Sequence, residues 1–151
     1  MQTVLAAVDF SEVTEAVVER AASLARAFSA HLVLLHVAEP DPEFVGFEAG
    51  PQSVRDARAD ELREEHRSLQ QRAEELRGQG LDVQASLVPG PTIETIVQRA
   101  QQLAADLVVL GSHGHGALHR ALLGSVSEGV LRRAGRPVLI IPTRRSGRER
   151  A

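Results

Sequence analysis

Five short apolar runs, separated by stretches of helical periodicity, constrain this chain more than any other feature. Residues 4–8, 31–37 and 106–111 are apolar almost throughout instead of alternating. That is the pattern of strands covered on both faces, as in parallel sheets. Residues 81–88 alternate, which fits a strand at a sheet edge with one wetter face. The last run, Val138 to Ile141, is closed by Pro142. Between the first two runs, Val17, Ala21, Leu24 and Phe28 recur at helical spacing, with Ser11 placed to cap that helix. Ser53-Val-Arg-Asp56 reads as a capping box for a charged helix running to about Arg77. Its apolar stripe is thin (Val54, Ala57, Leu62, Leu69, Ala73, Leu76), and Gly78 and Gly80 end it. Gly90-Pro91-Thr92 opens a third helix with Ile93, Ile96, Val97, Ala100 and Leu103 inward. A fourth runs over residues 125–134 and stops at Gly135 and Pro137. This alternation predicts an α/β fold: one doubly wound, five-stranded parallel sheet between two helical layers, with right-handed crossovers.

Residues 39–52 break the pattern with Pro40, Pro42, Gly46, Gly50 and Pro51. Phe44 and Phe47 lie there, so the segment is expected to be stapled down by its own aromatic side chains; a lid or inter-subunit contact is the second reading. A chain of 151 residues is one domain's length. Residues 1–142 form that domain, and residues 143–151, with four arginines, are expected to be a disordered tail.

Composition removes whole classes of chemistry. There is no Cys, hence no disulfide, thiolate catalysis or zinc–sulfur site, and a cytoplasmic location is expected. There is no Lys, which excludes a Walker-type phosphate lysine and Schiff-base catalysis. Trp and Tyr are missing and net charge is −3, so no nucleic-acid partner is expected. Asp9 cuts short the first apolar run, no basic segment precedes it, and no run approaches bilayer length, so neither a signal peptide nor a membrane partner is expected.

In doubly wound sheets ligands bind beyond the carboxyl ends of strands, where strand order reverses. That directs attention to Asp9, Val37 and the segment after the fourth strand. There the chain reads Gly111-Ser-His-Gly114-His115-Gly116, and later Gly124-Ser125 ahead of the last helix. Glycines let backbone amides converge on an anion, and a helix start adds free N–H groups and a favourable dipole. Two such features on one side of a sheet suit a polyphosphate better than a single carboxylate. A dinucleotide fingerprint from Gly114 fails because position 119 is His, and no Gly-x-Ser-x-Gly elbow exists.

Gly111-x2-Gly114-x9-Gly124-Ser125 resembles the ATP-binding signature of the universal stress protein family. The similarity extends to Ala7-Val8-Asp9-Phe10-Ser11, Leu35-His36-Val37, the run from Asp106 through Gly114, and Arg136-Pro137-Val138-Leu139. The resemblance implies a Rossmann-like fold that binds ATP, or ADP or AMP, with Mg²⁺ as a possible companion. On that basis Asp9, after Ala7 and Val8, accepts ribose hydroxyls; Val37 and Leu110 line the adenine pocket; and Gly111, His113 and Gly114 wrap ribose and phosphates. Gly124, Ser125 and Val126 then hold phosphates through backbone amides and the Ser125 hydroxyl. The resemblance also implies a homodimer through the last strand, Val138 to Ile141, and a stress-response or signalling role governed by nucleotide occupancy. Many relatives carry Arg or Lys where this chain has His115, which weakens charge compensation for a triphosphate.

Plainer readings stand beside these. Asp9 is also a natural turn residue ahead of a helix. His115 and His119 have metal-ligand spacing, but no third ligand adjoins them and glycines disfavour a helix there, so no metal site is expected. His31 and His36 read as strand-edge residues. No catalytic residue is assigned; the alternative function is a slow ATPase or adenylyl-transferring enzyme using Asp9, His113 and His115.

Overall fold

The structure, a computed structural model, describes residues 1–39, 52–113 and 123–143. Five strands, β1 (Thr3–Val8), β2 (His31–Ala38), β3 (Val83–Pro89), β4 (Leu107–Gly111) and β5 (Val138–Ile141), form one parallel sheet in the order β3-β2-β1-β4-β5. Four helices connect them: α1 (Thr14–Phe28), α2 (Gln52–Gly78), α3 (Thr92–Gln102) and α4 (Ser125–Arg133). The chain winds outward from β1 to β3, then returns to place β4 on the other side of β1. Strand order therefore reverses between β1 and β4.

Strand alternation sorts the interior into two cores. Val4, Ala6, Val8, Leu32, Leu34, Leu107 and Val109 face α1 and α2, where they meet Val17, Ala21, Leu69 and Ala73. Leu5, Val33, Leu35, Val37, Val108 and Leu110 face α3 and α4, against Ile96, Ala100 and Val130. Leu5, Leu32, Leu34 and Leu35 are wholly buried, each contributing on the order of 1.5–3 kcal/mol of transfer free energy. The continuous apolar runs in the sequence are the direct imprint of this double coverage. β3, the alternating run, is an edge strand.

Three helices end alike. The amides of Ala30, Leu81 and Ala105 reach back to the carbonyls of Ala25, Leu76 and Ala100, with Ser29, Gly80 and Ala104 at positive φ (51°, 86° and 47°) just before them. Gly80 adopts this conformation without strain, whereas Ser29 and Ala104 hold a backbone region that side chains disfavour.

Four sequence expectations are corrected here. Phe28 is 53% exposed, because α1 ends at this residue, beyond the cover of the sheet. Ser11 does not cap α1, which starts at Thr14 after Val13 and has no side-chain cap. Ser53 lies inside α2, which begins at Gln52, so it is not the N-cap of a capping box. His36 is a buried residue of an interior strand, not one at a strand edge. Phe44 and Phe47, and the tail from residue 144, lie outside the described residues.

Candidate functional site

At the carboxyl ends of β1, β2 and β4 the sheet opens into a cavity of about 610 Å³. Its origin is topological: β1 and β4 are neighbours whose following segments leave toward opposite faces of the sheet, so nothing in the winding fills the space between them. Ten of the residues selected from the sequence line it: Ala7, Val8, Asp9, Val37, Leu110, Gly111, His113, Gly124, Ser125 and Val126. Gly114, with His115, Gly116 and His119, lies outside the described residues.

The β1 side is organised by Asp9. Its Oδ1 accepts the Ser11 amide at 3.0 Å and the Thr14 hydroxyl at 3.4 Å, while Phe10 takes a left-handed φ of 59°. Asp9 is thus the turn residue of the plainer reading, and that turn also holds its carboxylate at the cavity wall.

Backbone parity explains Val37. The His31 amide donates to Gln2 and the Leu32 amide to Asp82, so odd residues of β2 turn their backbone groups toward β1 and even residues toward β3. β1 stays in register with β2 only as far as Val8 opposite His36. The Val37 carbonyl therefore points past the end of β1, into the gap where the chain turns away at Phe10.

Across the gap, β4 leads to the start of α4. The amides of Ser125, Val126 and Ser127 precede the first intrahelical donor, Glu128 to Gly124. The Gly124 amide, expected to hold an anion, donates instead to the Ser112 carbonyl at 2.6 Å. Ser127 turns its hydroxyl inward to the carbonyls of Gly111 and Ser112, at 2.7 and 3.0 Å. Gly111 has a local reason to be glycine, since a Cβ there would lie 2.4 Å from Val13 Cγ1.

Several lining residues escaped the sequence reading, chiefly His36, Glu65, Arg58, Glu39 and Thr92. His36 Nδ1 lies 2.8 Å from the Val8 carbonyl, which can only accept, so the proton is on Nδ1. Its Nε2 lies 3.3 Å from Glu65 Oε2, and its ring tilts against Phe10 with centroids 4.8 Å apart. Arg58 is engaged with Glu61 at 2.6 Å and the Glu39 carbonyl at 3.1 Å, so this cation is spent on the protein itself. The signal for Glu65 was present: it continues the stripe Leu62, Leu69, Ala73, Leu76 at three- and four-residue steps. Among the described residues, no group of three or more His, Cys, Asp or Glu side chains could hold a metal, and no helix is long and apolar enough to cross a membrane.

A cavity that combines apolar walls, the Asp9 carboxylate at the end of β1, an outward backbone carbonyl and a helix start suits a small molecule with a flat apolar part and an anionic end. The sequence profile described as the Universal stress protein family matches residues 1–142. A universal stress protein of Thermus aquaticus, encoded beside a QAH/OAS sulfhydrylase, is 32% identical over 141 residues, covering 93% of this chain and 98% of its own. The structure of protein MJ0577 of Methanocaldococcus jannaschii superposes with a TM-score of 0.80 at 28% identity, over 96% of this chain and 98% of that one. A universal stress protein solved in complex with cAMP superposes with a TM-score of 0.64 at 27% identity, over 93% and 95% of the two chains.

Proposed function

The chain belongs to the universal stress protein family, and on that premise we propose that it binds an adenine nucleotide, ATP, and acts as a stress-response or signalling module governed by occupancy. The observation that carries this reading is the convergence of Asp9, the Val37 carbonyl and the start of α4 on one cavity at the reversal of strand order. In this assignment Asp9 accepts the ribose hydroxyls. The Val37 carbonyl accepts the exocyclic amine of adenine, with Ala7, Val8 and Leu110 as apolar walls. The amides of Ser125 and Val126, the Ser125 hydroxyl, Gly111, His113 and Gly114 take the phosphates. The similar protein solved with cAMP supports an adenine nucleotide as the ligand class.

Because Arg58 is spent on Glu61 and Glu39, Mg²⁺ would arrive with the nucleotide and offset its charge, held by phosphate oxygens instead of a protein cluster. Among the described residues β5 is an edge strand of four apolar residues, all half-buried, and its outer edge is our assignment for the homodimer contact.

Calorimetric titration of the full chain with ATP, ADP and AMP, with and without Mg²⁺, tests the assignment. Saturable binding that is lost on Asp9→Ala is expected. No binding of any adenine nucleotide at millimolar concentration refutes it.

A further inference from the structure

Ser112 joins three elements at the phosphate end of the cavity. Its amide donates to the Ile141 carbonyl at the end of β5 (2.8 Å), and its carbonyl accepts the Gly124 amide (2.6 Å) and the Ser127 hydroxyl (3.0 Å). The residue is buried, and its Oγ accepts the Thr143 amide at 3.1 Å. The same oxygen lies 3.1 Å from His113 Nδ1 and 3.3 Å from Thr143 Oγ1.

A serine hydroxyl has one proton to give and two lone pairs. One lone pair is taken by the Thr143 amide. The proton then has two candidate acceptors, and the imidazole nitrogen is both nearer and the stronger base. We propose that Ser112 is a positioning residue whose hydroxyl donates to His113 Nδ1, fixing the neutral ring in the tautomer that carries its proton on Nε2. The Cδ2 edge, which adjoins Nε2, faces Gly124 at the start of α4, where a Cβ would come within 3.9 Å of Cδ2. His113 is thereby set as a donor to a phosphate oxygen beside the helix start. This role rests on the nucleotide assignment above. It also anchors the ring to the last strand, because Thr143 lies two residues beyond the end of β5.

The test begins with the nucleotide-free full chain, labelled with ¹⁵N and examined by long-range imidazole NMR at about pH 8, above the ordinary imidazole range. The expected spectrum has a bare Nδ1 and a protonated Nε2 for His113. Ser112→Ala should mix the two tautomers, and Ser112→Thr should restore the single one. In ATP titrations Ser112→Ala should weaken binding by about three- to tenfold, part of the loss expected for a hydrogen bond to a charged acceptor. In a His113→Ala background the same change should cost nothing further, since it acts through the ring. A ring protonated on Nδ1 in a chain that binds ATP overturns the Ser112 assignment alone. So does a Ser112→Ala effect that adds fully to His113→Ala. Failure of the wild-type chain to bind ATP, with the ring in the expected tautomer, refutes the nucleotide reading and with it the donor role.

Discussion

Gly111→Ala separates two explanations for a glycine at the cavity wall. Gly111 is not among the described glycines with positive φ, so the backbone alone would accept alanine there. The obstacle is Val13, itself 5% exposed, whose Cγ1 and Cγ2 would lie 2.4 and 3.4 Å from the new Cβ. Forcing a methyl into such a contact costs about 1–3 kcal/mol. Val13→Ala removes two buried methyl groups and costs about 1.6 kcal/mol in transfer free energy, plus a cavity contribution. In the double variant the Gly111→Ala methyl occupies the space that Val13 vacates. Its total cost should therefore fall about 1–3 kcal/mol short of the sum of the two single changes. Urea unfolding of the four proteins measures that coupling, and thermal midpoints should move by about 2–4 °C for each kcal/mol. Additivity within about 0.5 kcal/mol would show that Val13 is not the reason for the glycine. Titrating ATP into the double variant then asks the remaining question. Restored stability without restored binding assigns Gly111 a second task at the ligand.

Ala104→Gly, at φ 47° on an exposed helix end, should stabilise the fold by about 0.5–1 kcal/mol, and unchanged or reduced stability in urea would contradict the strain assigned there. Ser127→Ala removes the donor to the Gly111 and Ser112 carbonyls and should cost about 1 kcal/mol; a neutral result would mean that water replaces it fully. The amides of Gln2 and Thr3 hold the Asp106 carboxyl below its ordinary value of 3.8. A folded value below the unfolded one gives stability that is present above about pH 4 and lost as pH falls through the folded value. Asp106→Asn should therefore lie below wild type in stability at neutral pH and converge with it in acid, and a pH-independent difference would contradict this.

The sheet was legible because parallel strands buried on two faces must be apolar on two faces, and residues 4–8, 31–37 and 106–111 are apolar almost throughout and short enough for strands. The alternating run at β3 likewise announced an edge. Periodicity gives the inward face of a helix but not where the layer beneath it stops, and so Phe28 was misplaced at the overhanging end of α1. Capping residues were misread for a related reason. Ser11 and Ser53 have cap chemistry, but the turn at Phe10 and the start of α2 at Gln52 put the first helical residue elsewhere. At the site, Asp9, Val37 and Ser125 followed from the rule that ligands meet strand ends. The pairing of His36 with Glu65 did not, because although the α2 stripe turns Glu65 inward, no local pattern names its partner 29 positions away on β2. The commitment of the Gly124 amide to Ser112 was equally invisible, since a helix start announces donors without saying which of them the protein has used.

The two-sided winding has a consequence for how such a protein can diversify. The side chains that make it fold sit along the bodies of the strands, whereas several that line the cavity, such as His113 and Ser125, sit beyond the strand ends. In a laboratory library, variation confined to His113 and Ser125 should yield folded proteins at high frequency, whereas the same diversity at Leu5, Val33 and Val108 should yield few.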